Sequence, residues 1–122
     1  MFKRNNNLLI FLLLICILSR AFTSIYYIED IDSLRFALSI KDYDITKLQP
    51  HFPGYIVFCF LIKAIYISVG NMGLSFSIVG GISIFFIIYY LLRIFNTSLK
   101  SYEGRYIALI IFFNPLFWLM SN

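Results

Sequence analysis

Charge is what this sequence has least of. Asp, Glu, Lys and Arg make up 13% of its 122 residues, against about 25% in soluble domains. It also has one histidine, one tryptophan, two cysteines and three prolines. Each scarcity excludes something. Cys16 and Cys59 both lie inside apolar segments, with no CxxC or Cys/His spacing, so neither a disulfide framework nor a thiolate metal site is expected. The basic residues stand singly at the edges of apolar runs. Without a basic cluster interleaved with aromatics, nucleic acid is not an expected partner. GxSxG, HExxH, a phosphate-cradling glycine loop and a dinucleotide fingerprint are all absent.

What is abundant is apolar surface. The chain is 61% hydrophobic and carries 14 Phe and 9 Tyr. A protein of this length has too little interior to hide that surface from water. The apolar runs are continuous rather than alternating, which excludes barrel strands. The expected fold class is therefore all-α integral membrane, since a helix satisfies its own backbone hydrogen bonds in lipid. The expected location is the plasma (inner) membrane, with several passes and the bilayer itself as first partner.

Residues 8–28 form about 21 mostly apolar positions, the length of one crossing. Lys3 and Arg4 before them also fit a signal peptide. The apolar character continues past Arg20 to Tyr26, Tyr27 and Ile28, which favours an uncleaved span with Arg20 snorkelling to the outer interface. Residues 74–95 read as a second span, with Gly80-Gly81 permitting close helix contact. Residues 106–120 read as a third, kinked at Asn114-Pro115. Residues 55–70 are apolar but short, with Lys63 in the middle. A charge at mid-bilayer costs at least about 2.5 kcal/mol, so a juxtamembrane helix on the outer side is expected there.

Charge arithmetic supports three spans over four. With four, Lys3 and Arg4 alone stay inside, two basic residues against eight. With three, Arg93, Lys100 and Arg105 join them, five against five. Positive residues favour the cytoplasmic side, so the N-terminus is expected inside and residues 29–54 outside. The whole chain reads as a single membrane domain, 1–122.

Residues 29–55 are the one long polar stretch. They hold Glu29, Asp30, Asp32, Asp42, Asp44 and His51. Residues 32–40 read as a short amphipathic helix, with Leu34, Ala37 and Leu38 on one row and Phe36 and Ile40 on a neighbouring one. Residues 41–54 read as loop. Asp30 and Asp32 read first as a negative patch that marks the outer face and caps a helix, and second as a general base for an acceptor hydroxyl or amine. His51, between Pro50 and Phe52-Pro53, sits on stiff backbone suited to a ligand contact, or is simply a loop histidine. Lys63 either snorkels or meets a phosphate as a point charge. Asp42 and Asp44 could hold a divalent cation with other oxygen ligands, but the spacing is weak support, and no cofactor is expected.

The order of these parts resembles the N-terminal module of the C-type (GT-C fold) membrane glycosyltransferases. That group includes the protein O-mannosyltransferases and the aminoarabinose lipid A transferases. Asp32-Ser-Leu-Arg-Phe-Ala37 is similar to the family's Asp-Glu-x-Arg-Tyr-Ala element, Gln49-Pro50-His51-Phe52-Pro53-Gly54-Tyr55 to its His/Pro-rich element, and Val69-Gly70-Asn71 to its Phe-Gly-Asn turn. The resemblance implies sugar transfer from a polyprenyl-phosphate donor at the outer membrane face. It implies Asp32 as catalytic residue, with Asp30 second, and His51 and Lys63 as donor-binding contacts. Ser33 and Phe36 depart from the family's Glu and Tyr. Family members carry many more spans and a second acidic site, so the chain is expected to be inactive alone. The alternative is a small non-enzymatic multi-span membrane protein whose acidic outer loop binds a partner.

Overall fold

The structure is a computed structural model that describes residues 6–25 and 31–120. Among the described residues six α-helices follow one another: α1 Asn6–Phe22, α2 Ile31–Lys41, α3 Ile56–Val69, α4 Met72–Ile94, α5 Tyr102–Phe112 and α6 Pro115–Met120, with one 3₁₀ turn at Ile45–Lys47. The all-helical expectation holds: among the described residues the only β pairing is an isolated Asp44–Gln49 bridge. Among those residues α4 alone is long and apolar enough to cross a membrane. Its 23 residues span about 35 Å at 1.5 Å per residue, against roughly 30 Å of bilayer hydrocarbon.

The other expected spans are shorter as helices. α1 ends at Phe22 rather than at residue 28. Thr23 Oγ1 donates back to the Ser19 carbonyl at 3.0 Å as the helix gives out, and residues 26–28 lie outside the described residues. The expected span 106–120 is two helices, not one kinked helix. Asn114 Oδ1 accepts from the Leu116 and Phe117 amides at 3.0 and 3.3 Å, so it starts a new helix with Pro115 in the first position. The segment expected to be a juxtamembrane helix is helical, as α3, roughly 21 Å long. Gly70, at φ +71°, closes α3 by donating to the Tyr66 carbonyl, and Asn71 Oδ1 then caps the start of α4.

The chain divides into two compact units, Met1–Ser24 with Ser77–Asn122, and Ile25–Phe76. In the first, Cys16, Ile84, Ile88, Leu92 and Ala108 form the core, lined by Leu12, Ile107, Ile111 and Phe112 among others. Gly81 lets two backbones touch: a Cβ there would lie 2.8 Å from the Cys16 carbonyl oxygen and from Ile17 Cα.

Arg20 does not snorkel. It is fully buried, its guanidinium carbon 3.7 Å from the Trp118 ring centroid and 5.5 Å from that of Phe112. Nη2 donates to the Phe112 carbonyl at 3.3 Å. A desolvated cation–π contact of this kind contributes about 2 kcal/mol, which offsets part of the cost of turning the side chain inward under the indole of α6.

The second unit is α2 packed on α3. Ala37, Ser39 and Ile40 of α2 are buried, as are Cys59 and Ile62 of α3. Leu34 and Leu38 remain exposed. The buried face of α2 thus takes Ala37 from one row and Ile40, with half-buried Phe36, from the other, and leaves Leu34 and Leu38 outside. Ser39 Oγ donates to Cys59 Sγ at 3.3 Å across the contact, two small side chains that let the helices close up.

Candidate functional site

Three segments of the second unit build the site. The first turn of α2 places Asp32 there, its side chain 65% exposed. The loop after the 3₁₀ turn brings in His51. That loop is tied down at its start by paired backbone bonds, Asp44 N–H to the Gln49 carbonyl at 2.7 Å and Gln49 N–H to the Asp44 carbonyl at 2.9 Å. Pro50 is buried, and the peptides before Pro50 and Pro53 are both cis. At its end the Gly54 amide donates to the His51 carbonyl, and the Tyr43 hydroxyl donates to the Gly54 carbonyl at 2.7 Å. Tyr55, leading into α3, supplies the third wall.

The His51 imidazole is edge-on to two rings, Phe36 at 5.2 Å and Tyr55 at 5.4 Å between centroids. Phe36 in turn meets Tyr55 and Phe58, each at 5.3 Å. These contacts hold the imidazole in one orientation. Its Nδ1 lies 3.7 Å from Asp32 Oδ1, too far for a hydrogen bond but close enough for attraction once the ring is protonated. Nδ1 is buried and has no hydrogen-bond partner among the described residues. The same Asp32 oxygen accepts from Arg35 Nη1 at 3.3 Å, an i,i+3 pair on α2.

Of the residues singled out from sequence, then, Asp32 and His51 come together. Asp30 lies outside the described residues. Lys63 is elsewhere on α3, exposed beside a cavity of about 210 Å³ that it lines with Ser39, Tyr43, Ile56, Cys59 and Phe60. That cavity includes neither Asp32 nor His51. Two participants went unnoticed in the sequence reading: Arg35 as partner of Asp32, and Phe36 as the ring against His51. The i,i+3 spacing of Asp32 and Arg35 was the available signal for the first.

Asp42 and Asp44 are occupied by the protein itself. Lys47 Nζ bridges them at 2.9 and 3.3 Å, and Asp44 Oδ1 accepts from the Thr46 hydroxyl at 2.6 Å and its amide at 2.9 Å. The Thr46 hydroxyl is the largest influence holding the Asp44 carboxyl below its ordinary value, and Asp42 the largest raising Lys47. No group of three or more His, Cys, Asp or Glu side chains fit to hold a metal occurs among the described residues. No protein-family model, curated protein or solved structure matches the chain.

Proposed function

We propose that this chain is the N-terminal part of a membrane glycosyltransferase that moves a sugar from a polyprenyl-phosphate donor to an acceptor at the outer membrane face. The observation that carries the reading is the approach of Asp32 Oδ1 to His51 Nδ1 at 3.7 Å. An exposed carboxylate backed by an oriented imidazole is equipped for general base work. Asp32 takes the proton of an acceptor hydroxyl as its oxygen attacks the anomeric carbon. The bond between that carbon and the phosphate oxygen breaks, and polyprenyl phosphate leaves with the electron pair. Lys63 offers a point charge for the donor phosphate, and His51 stands on the donor side of Asp32. The topology that goes with this reading has α1, α4 and the α5–α6 pair crossing the bilayer, and α3 at the outer surface.

The Arg35–Asp32 pair favours a second reading, in which Asp32 is a surface ion-pair partner and the acidic segment orients a non-enzymatic membrane protein or binds a partner. One experiment separates them. The Asp32 codon is changed to Asn in the producing cell, and membranes are assayed for transfer of labelled sugar from polyprenyl-phosphate donors. Loss of one transfer activity with normal membrane insertion supports the transferase. Full activity of every transfer in the D32N strain overturns it.

A further inference from the structure

We propose that Arg20 is the anchor of a phosphate-class oxyanion site inside the first unit, with Trp118 as its wall. This inference is independent of the transferase reading and rests on a different unit of the chain. Arginine carries five N–H donors and no acceptor. In Arg20 one Nη2 proton goes to the Phe112 carbonyl, while Nε and Nη1 find no hydrogen-bond partner among the described residues. The side chain is nonetheless fully buried. A guanidinium withdrawn from water without its complement is costly, and the missing complement is an anion with several oxygens. The Trp118 face covers the guanidinium plane at 3.7 Å, which leaves the N–H edges as the reactive rim. Planar edge donors match phosphate oxygens bidentately.

Two buried hydroxyls of the same unit, Ser24 Oγ and Ser77 Oγ, also lack partners among the described residues. Ser77 lies one turn before Gly81 on α4, the point where α4 touches α1 at Cys16, and Arg20 lies one turn after Cys16 on α1. The unpartnered Nε and Nη1 edges of Arg20 present a forked pair of donors, which a tetrahedral phosphate meets with two oxygens while keeping others for further donors. Arg20 is in the last turn of an apolar helix, so a phospholipid headgroup and free inorganic phosphate are the two sources of that group.

The test uses the full chain in detergent micelles. Trp118 is the only tryptophan, so its emission reports directly on Arg20. Dioleoyl phosphatidate and inorganic phosphate are titrated separately, with dioleoyl phosphatidylcholine as a background lipid. A saturable change in Trp118 emission is expected with at least one probe. Phosphatidate alone assigns a lipid headgroup, inorganic phosphate alone a soluble anion. Arg20→Lys, which keeps the charge and loses the fork, should weaken the apparent affinity at least about tenfold. Arg20→Gln should abolish the response, and Lys100→Gln should leave it unchanged. Should the Gln variant fail to fold, judged by far-UV circular dichroism, the Lys variant decides. No response to either probe, or an undiminished response in Arg20→Lys, overturns the proposal.

Discussion

Asp32 Oδ1 is shared: Arg35 Nη1 donates to it at 3.3 Å from one side, and His51 Nδ1 stands 3.7 Å away on the other. The two basic partners compete for one oxygen. Arg35 is bound by short-range helix geometry, whereas His51 is presented by a loop. Which of them governs Asp32 can be read from single substitutions.

Arg35→Gln removes the local competitor and leaves Asp32 to His51. Exposed pairs of this kind contribute about 0.2–1 kcal/mol, so the melting midpoint should move little. The His51 ring signals in an NMR spectrum at fixed pH should shift instead, because the carboxylate then faces His51 alone. Unmoved His51 ring signals in Arg35→Gln would show that 3.7 Å carries no coupling.

Phe36→Ala takes away the ring against which His51, Tyr55 and Phe58 all rest. Truncating a buried Phe costs about 3–5 kcal/mol, and Phe36 is half-buried, so about 2–3 kcal/mol is expected from the α2–α3 unit. Urea titration followed by tyrosine fluorescence measures this. In a functional assay His51 should lose its fixed orientation along with the stability.

Gly81→Leu tests the contact of α1 with α4. A Cβ at that position meets the Cys16 carbonyl oxygen and Ile17 Cα at 2.8 Å, and both are backbone atoms that a rotamer change does not move. Overpacking costs about 1–3 kcal/mol. Helix loss on titration with SDS should begin at lower detergent fraction than in the parent, and Gly80→Leu serves as the comparison.

The Asp42–Lys47–Asp44 cluster should be pH-sensitive in a defined direction. Asp44 is held below its ordinary 3.8, chiefly by the Thr46 hydroxyl. Its contribution to ordering the loop is therefore full above that ordinary value and fades as pH falls through the lowered one. Lys47 is raised above its ordinary 10.5, so its share is full below 10.5 and is lost as pH rises through the raised value. Amide exchange at Thr46 should quicken, relative to its intrinsic rate, on acidification below the ordinary aspartate range. Thr46→Val should move that onset to higher pH.

Much of the helical layout was legible in the sequence because helix ends are local matters. Gly70 with Asn71 marks the joint of α3 and α4, and Asn114-Pro115 marks the break between α5 and α6, although a kink was expected there and a capped restart is found. Asp32 in the first turn of α2 was equally readable, as was the preference for His51 on a constrained loop. The buried row of α2 was not readable. Leu34 and Leu38 outrank Ser39 in hydrophobicity, yet Ser39 is buried, because it meets the equally small Cys59 on α3.

The amino-acid sequence alone determined the helical class, the order of the helices, and an apolar α4 long enough for a bilayer, since composition and nearest-neighbour chemistry suffice for each. Tertiary packing alone decided that Arg20 turns inward beneath Trp118 and that Asp32 reaches His51. Both depend on residues far apart in the chain, and the energy of bringing them together belongs to the surfaces between helices, which no local pattern encodes.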